Sequence, residues 1–268
     1  MGIKMESLEK ILNDGVETKN ILQKYSEFSS VKKGYKIPNI VHMTFCSRRL
    51  PITILNVINK NKQVCKNCIF KFYDDEECET MIKTHFSARI FNAYSSINPN
   101  LGAMKADFFR YCILYLMGGI YIDIKSSINV PVFKLIQKND TCILDIPHRD
   151  KEYWRKKAPT YEQWLLIFAP QHLYLHTMIC QMVGYIESKY IPQIFGKQNI
   201  TMKQQILHVT GPDAFTKAVH SSIHQANKSH RNINYELYFK LNWELNYRQM
   251  YKINNKTHYS EVKGSLYK

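Results

Sequence analysis

An α/β domain with a mostly parallel central sheet flanked by helices is what this sequence predicts, and three features predict it. Short runs rich in β-branched and aromatic residues alternate with longer stretches at helical spacing, the rhythm of a parallel sheet covered on both faces. The 268 residues, 45% hydrophobic and 13% aromatic, supply enough apolar surface for one core without requiring a second. An apolar helical stretch over residues 101–117 runs into Gly118-Gly119 and then into Ile120-Tyr-Ile-Asp-Ile124, placing a helix stop directly before a strand start.

In chain order, Leu8, Ile11, Leu12, Val16 and Leu22 recur near helical spacing, so residues 1–35 read as an N-terminal helical arm and residues 36–268 as the domain. Ile37-Pro-Asn-Ile-Val-His-Met-Thr-Phe45 reads as a buried strand with Pro38 confined to its start. Residues 51–62 read as helix and residues 69–73 as strand. Asp74 and Glu77 stand at capping-box spacing ahead of a helix to about residue 84. A helix near residues 86–96 stops at Asn98-Pro99, before the apolar helix over 101–117. Residues 141–146, 164–168 and 206–209 read as short strands, with a helix around 172–189. The last forty or so residues are polar and carry no clear periodicity.

The net charge of +15, from 37 Lys and Arg against 22 Asp and Glu, favours anionic partners, but the basic residues are scattered and form no block. A solvated surface accounts for much of it. The seven cysteines are odd in number and irregularly spaced, which together with the absence of a secretory leader predicts a reduced, cytoplasmic protein. Cys65-Lys-Asn-Cys68 has ligand spacing, but no second pair follows to complete a zinc site. Lys4, Glu6, Glu9, Lys10 and Asp14 interrupt the first apolar residues, and the apolar stretch over residues 111–122 is too short to cross a bilayer. No transmembrane segment is expected; peripheral contact with a membrane through the positive surface stays open.

Between Leu101 and Asp123 the only charged residues are Lys105, Asp107 and Arg110. Asp107 and Arg110 are three apart and share a helix face, so they either pair inside the protein or turn together to a ligand. Asp123 follows a Gly-Gly turn that leaves room for a ligand near the backbone, where it either holds a metal or ribose or caps the Ser126-Ser127 turn. In parallel sheets ligands sit at the carboxyl ends of the strands, which places Asp123 and the Thr210-Gly-Pro-Asp213 turn near any chemistry.

The segment containing Ala103-Met-Lys-Ala-Asp-Phe-Phe-Arg110 and Gly118-Gly-Ile-Tyr-Ile-Asp123 strongly resembles glycosyltransferase family thirty-two, which includes yeast-type initiating mannosyltransferases and capsular polysaccharide transferases. The opening strand, Phe72-Tyr-Asp-Asp75, Gln163-Trp164 with Ala169-Pro-Gln-His172, and His208-Val-Thr-Gly-Pro212 resemble further segments of that family in the expected order. The resemblance implies a GT-A nucleotide-diphospho-sugar fold and a retaining hexosyl transfer from a UDP- or GDP-sugar to a glycan or protein acceptor. It implies that Val41, His42, Met43 and Thr44 line the nucleotide base, with His42 a strand residue and not a catalyst. Lys105, Asp107 and Arg110, with Gly118, Gly119, Tyr121 and Ile122, would form the rest of the donor site, Arg110 towards its phosphate side. Gln163 would stand near the acceptor, as would Asp213 unless it only begins a helix after Gly211-Pro212.

Asp123 would be the first carboxylate of the DXD metal motif, but the second position is Lys125. A Mn²⁺ or Mg²⁺ cofactor takes hard oxygen ligands, which an ammonium cannot supply. Either Lys125 neutralises the diphosphate itself, or Asp123 holds the ion with help from His258, whose segment His258-Tyr-Ser-Glu-Val-Lys263 is similar to the His-and-Lys tail of GT-A enzymes; Lys263 would then join the donor site. A catalytically degenerate nucleotide-sugar-binding domain is the nearest rival reading. A basic nucleic-acid-binding protein is a further one, with no motif behind it and no specific nucleic acid expected.

Overall fold

Alternation along the strands sorts the core into two layers on either side of one sheet. The computed structural model describes residues 34–146, 160–192, 200–224, 230–242, 251 and 254–268. The N-terminal arm expected over residues 1–35 lies almost wholly outside the described residues. Strands β1 (Ile40–Thr44), β2 (Ile69–Tyr73), β3 (Gly119–Ile122), β5 (Cys142–Asp145), β6 (Leu165–Phe168) and β7 (Arg231–Ile233) form a six-stranded sheet in the order β2-β1-β3-β6-β5-β7. β1 pairs in parallel with β2 and β3, and β5 with β7; β6 alone runs antiparallel to its neighbours.

Tyr121, Leu166 and Phe168 point to one layer, and Ile120, Ile122, Leu165 and Ile167 to the other, the two-residue period of a strand covered on both faces. The first layer packs against α2 (Asp75–His85), α3 (Ala88–Ser96), α4 (Gly102–Met117), α5 (Leu173–Glu187), α6 (Met202–Val209) and α7 (Pro212–Ser222). The second packs against α1 (Ile52–Val64) and a small two-stranded sheet of β4 (Ser126–Ile128) with β8 (Phe239–Leu241). Among the described residues no helix is long and apolar enough to cross a membrane.

The expected capping box forms: the Glu77 backbone N–H donates to the Asp74 side chain, and the Asp74 N–H donates to the Glu77 carboxylate. One element is corrected. Residues 206–209, read as a strand, belong to helix α6, which a second capping box starts: Thr201 accepts from the Gln204 N–H, and the Gln204 side chain accepts from the Thr201 N–H. The run Ile206-Leu207-His208-Val209 is too short to reveal its period, and only Ile206 and Val209, three apart, are buried. The three-residue strands β4, β7 and β8 escape the sequence reading because they lie in polar segments.

The Gly-Gly turn is a packing device and not an opening for a ligand. Gly118 and Gly119 take φ of 62° and 99°, and a Cβ would lie 2.7 Å from Pro170 at the first and 2.5 Å from the Ile40 carbonyl at the second. His42 seals the same junction. It is fully buried in β1, with Nε2 3.0 Å from the Gly118 carbonyl and Nδ1 3.2 Å from the Tyr73 hydroxyl.

Burial pushes the His42 pKa from 6.5 down to about 3, only partly opposed by the Gly118 carbonyl. Folded His42 stays neutral while the unfolded ring protonates, so the stability it permits above pH 6.5 is lost as pH falls towards 3. The slope expected from this group is about 1.4 kcal/mol per pH unit. Urea unfolding of wild type and His42→Gln across that window measures it: the variant lacks this component, and parallel slopes would assign the acid sensitivity to other groups.

Candidate active site

The turn at Gly118-Gly119 folds β3 back along α4, and the geometry of the two elements decides what meets. Arg110 lies eight residues before Gly118 and Asp107 eleven, about 12 and 17 Å along a helix. Asp123 lies five residues beyond Gly118, about 16 Å along a strand. All three therefore reach the same level, at the carboxyl ends of β1 and β3.

There they line a cleft of about 410 Å³. Arg110 Nη2 lies 3.1 Å from Asp107 Oδ1 and 3.3 Å from Asp123 Oδ1, and its guanidinium sits 4.6 Å from the centre of the Tyr121 ring. Arg110 Nη1 donates to the Gln163 carbonyl at 2.6 Å. Thr210 Oγ1 donates to Asp107 Oδ2 at 2.9 Å, Gln163 Nε2 donates to Asp107 Oδ1 at 3.2 Å, and the Tyr111 hydroxyl donates to Gln163 Oε1. The pair is both internal and part of the cleft wall.

Exposure separates the roles. The Asp107 and Arg110 side chains are 6% and 7% exposed, whereas Asp123 is 25% exposed and is the carboxylate of the triad most open to the cleft. Burial raises Asp107 to about 6 against the pull of Arg110 and Thr210. It also raises Asp123, opposed by Arg110 and Lys125. Arg110 stays protonated because Tyr121, Asp107 and Asp123 outweigh the cost of burying its charge. Burial lowers Lys125 to about 8, with Asp123 opposing.

Of the other expected residues, Thr44, Lys105, Tyr121, Lys125, Gln163 and His258 line the cleft. Lys105 Nζ rests 4.7 Å from the centre of the Tyr94 ring, and burial lowers its pKa. Val41, His42, Met43, Gly118, Gly119 and Ile122 do not line it. They are packed in the sheet and its turn, because only the carboxyl end of β1 opens on the cleft, so Thr44 alone of the four base-lining candidates reaches it. Lys263 is exposed and away from the lining, and Asp213 pairs with His208 at the start of α7. The Asp123 carboxylate turns to Arg110; the following turn is closed by its backbone carbonyl, which accepts from the Ser126 N–H at 2.8 Å.

Sequence reasoning did not single out Tyr111, Asn61 or Asn242, and reached Thr210 only through the turn that it opens. Asn61 Nδ2 donates to the Ser126 carbonyl and its Oδ1 accepts from the Ile128 N–H, both at 2.8 Å. Asn242 Nδ2 donates to the Lys125 carbonyl at 2.6 Å and to Ser127 Oγ at 2.8 Å. A signal for Asn61 existed: it occupies the buried face of α1 in helical register with Ile54 and Ile58, where an amide needs a partner.

The donor set fits a divalent cation poorly. Asp123 and His258 share the cleft, but Asp123 already faces Arg110 and Lys125. His258 Nδ1 is 2.7 Å from the Ser260 hydroxyl. Among the described residues no group of three His, Cys, Asp or Glu is placed to hold a metal ion, the Cys65 and Cys68 pair included.

Residues 47–141 match the family described as "Glycosyltransferase sugar-binding region containing DXD motif". That stretch is similar to a glycosyltransferase sugar-binding region. The matched stretch supplies Lys105, Asp107, Arg110, Asp123 and Lys125, while Gln163, Thr210 and His258 come from beyond it. It contains no Asp-x-Asp, and at the end of β3 the sequence reads Asp123-Ile-Lys125.

Two curated relatives are initiation-specific alpha-1,6-mannosyltransferases. That of Candida albicans is 27% identical over 176 residues, covering 58% of this chain and 44% of the relative. That of Schizosaccharomyces pombe is 26% identical over 161 residues, covering 54% and 39%. The chain therefore spans less than half the length of these relatives. The solved structure of the PaToxG glycosyltransferase has a TM-score of 0.50 at 14% identity, covering 77% of this chain and 79% of that one, a likeness of GT-A-type α/β fold.

Removing Arg110 would leave Asp107 buried without a countercharge. Arg110→Ala is expected to cost about 3–5 kcal/mol in urea unfolding, and Asp123→Asn, at a partly open position, about 1 kcal/mol or less. Equal losses for the two variants would show that burial does not rank the triad.

Proposed function

We propose that residues 36–268 form a retaining glycosyltransferase domain that moves a hexose from a UDP- or GDP-sugar to a glycan or protein acceptor. The observation that carries this reading is the convergence of Asp107, Arg110, Asp123 and Lys125 on one cleft inside a glycosyltransferase sugar-binding region. A cleft of about 410 Å³ suits a ligand of nucleotide-sugar size.

The lining carries Lys105, Arg110, Lys125 and Lys203 against Asp75, Asp107, Asp123 and Glu162, so it is balanced in formal charge and can meet both a diphosphate and sugar hydroxyls. Asp123, the more open carboxylate, is suited to accept hydrogen bonds from hydroxyls of the donor. Thr44, Phe45 and Tyr251, the last two with ring centres 5.4 Å apart, offer a wall for the base.

In the transfer the bond from the anomeric carbon to the diphosphate oxygen breaks, its electron pair leaving with the phosphate. The acceptor hydroxyl oxygen forms the new bond on the same face, and its proton passes to the departing phosphate oxygen. The chain then needs no separate base. What it supplies is position, and fixed cations against the charge developing on the leaving group.

A thermal-shift panel of UDP, GDP and their sugars, followed by a donor-consumption assay, tests the reading. One nucleotide is expected to raise the melting temperature and its sugar to be transferred or hydrolysed, with Asp123→Asn lowering turnover by about 100-fold or more. Binding without turnover of any donor would favour the degenerate domain that Lys125 suggests. Neither binding nor turnover across the panel would sink the proposal.

A further inference from the structure

At the end of β3 the glycosyltransferase region has Lys125 where the motif that names its family has a second carboxylate. A carboxylate with a bound divalent ion sums to one positive charge, the charge of a single ammonium. Lys125 therefore restores, without an ion, the charge that the pair would have placed beside Asp123. The structure also builds this lysine in. Its backbone carbonyl is held by buried Asn242, and the strand that begins at the next residue is held by buried Asn61, four side-chain hydrogen bonds in all. Lys125 itself is 4% exposed and lines the cleft. The position left for an ion beside Asp123 already faces two cations, Arg110 and Lys125.

We propose that Lys125 is a built-in substitute for the divalent cation, and that this chain binds the diphosphate of its donor without metal. The inference rests on the nucleotide-sugar reading above and extends it to how the diphosphate is held. Preorganisation is central to it. An ammonium on an unanchored loop would have to be ordered as the ligand binds, whereas Lys125 has its main chain fixed by two asparagines that have few other ways to satisfy their buried amides. An ammonium is a point charge and imposes no octahedral geometry, so the phosphate oxygens need only approach it.

Isothermal titration of the purified full chain with UDP and with GDP, in EDTA and in Mn²⁺, reads the proposal directly. The nucleotide that binds is expected to do so with a Kd that differs by no more than about twofold between the two conditions. Lys125→Met is expected to weaken binding by about tenfold or more in both, and Lys125→Asp to bind about tenfold more tightly in Mn²⁺ than in EDTA. Wild-type binding about tenfold weaker in EDTA than in Mn²⁺ would overturn the substitution while leaving the functional reading intact, and so would a Lys125→Met chain that binds like wild type. Failure of both nucleotides to bind under either condition would instead remove the functional reading and this inference with it. The wild-type comparison depends on no variant, so a substitution that fails to fold does not weaken the test.

Discussion

A guanidinium does not lose its proton inside a protein, so Arg110 can be buried only where anions are brought to it. Asp107 comes from the same helix and Asp123 from the end of the neighbouring strand, and the demand for both ties the first half of α4 to the carboxyl end of β3. The Gln163 carbonyl is drawn in by Arg110 and the Thr210 hydroxyl by Asp107, so segments far apart in sequence are fixed around one charge. The raised pKa of Asp107 shows the direction of the balance: desolvation outweighs the attraction of Arg110 for that carboxylate. Such a cluster is a poor source of stability. The stability comes from the apolar layers around it, and the triad decides instead which segments meet.

Much of this arrangement is legible before any coordinates. Three charged residues in an otherwise apolar helix, a Gly-Gly reversal and a strand ending in Asp form a local unit, and rise per residue alone levels Asp107 and Arg110 with Asp123. Contacts of long sequence separation are less accessible. Gln163 and Thr210 join Asp107 across 56 and 103 residues, and no periodicity reports such a pairing. The base-lining assignment of the first strand fails in part for a geometric reason: a strand buried on both faces opens to a ligand only at its end, so Thr44 reaches the cleft and Val41, His42 and Met43 cannot. The two glycines do take the left-handed backbone that the turn requires, but what approaches them is Pro170 and the Ile40 carbonyl and not a ligand.

The cleft has two kinds of wall. Asp107, Arg110 and Tyr121 stand on α4 and β3, most of whose other residues are buried and none exposed, so small displacements there meet a close-packed core. Leu241, Tyr251 and His258 come instead from the polar end of the chain, and their packing is aromatic and edge-on: Tyr251 meets Phe45 at 5.4 Å on one side and His258 at 5.4 Å on the other. The first wall is built into the core, and the second packs against the cleft from outside the six-stranded sheet.

Under the proposed function, that division bears on where donor chemistry and substrate choice would reside. Charge stabilisation requires groups that do not reorganise as charge develops, which the triad and the asparagine-anchored Lys125 satisfy. Discrimination between bases or acceptors requires shape that can change without disturbing the core. The C-terminal wall meets that condition because its residues touch the cleft without belonging to the six-stranded sheet.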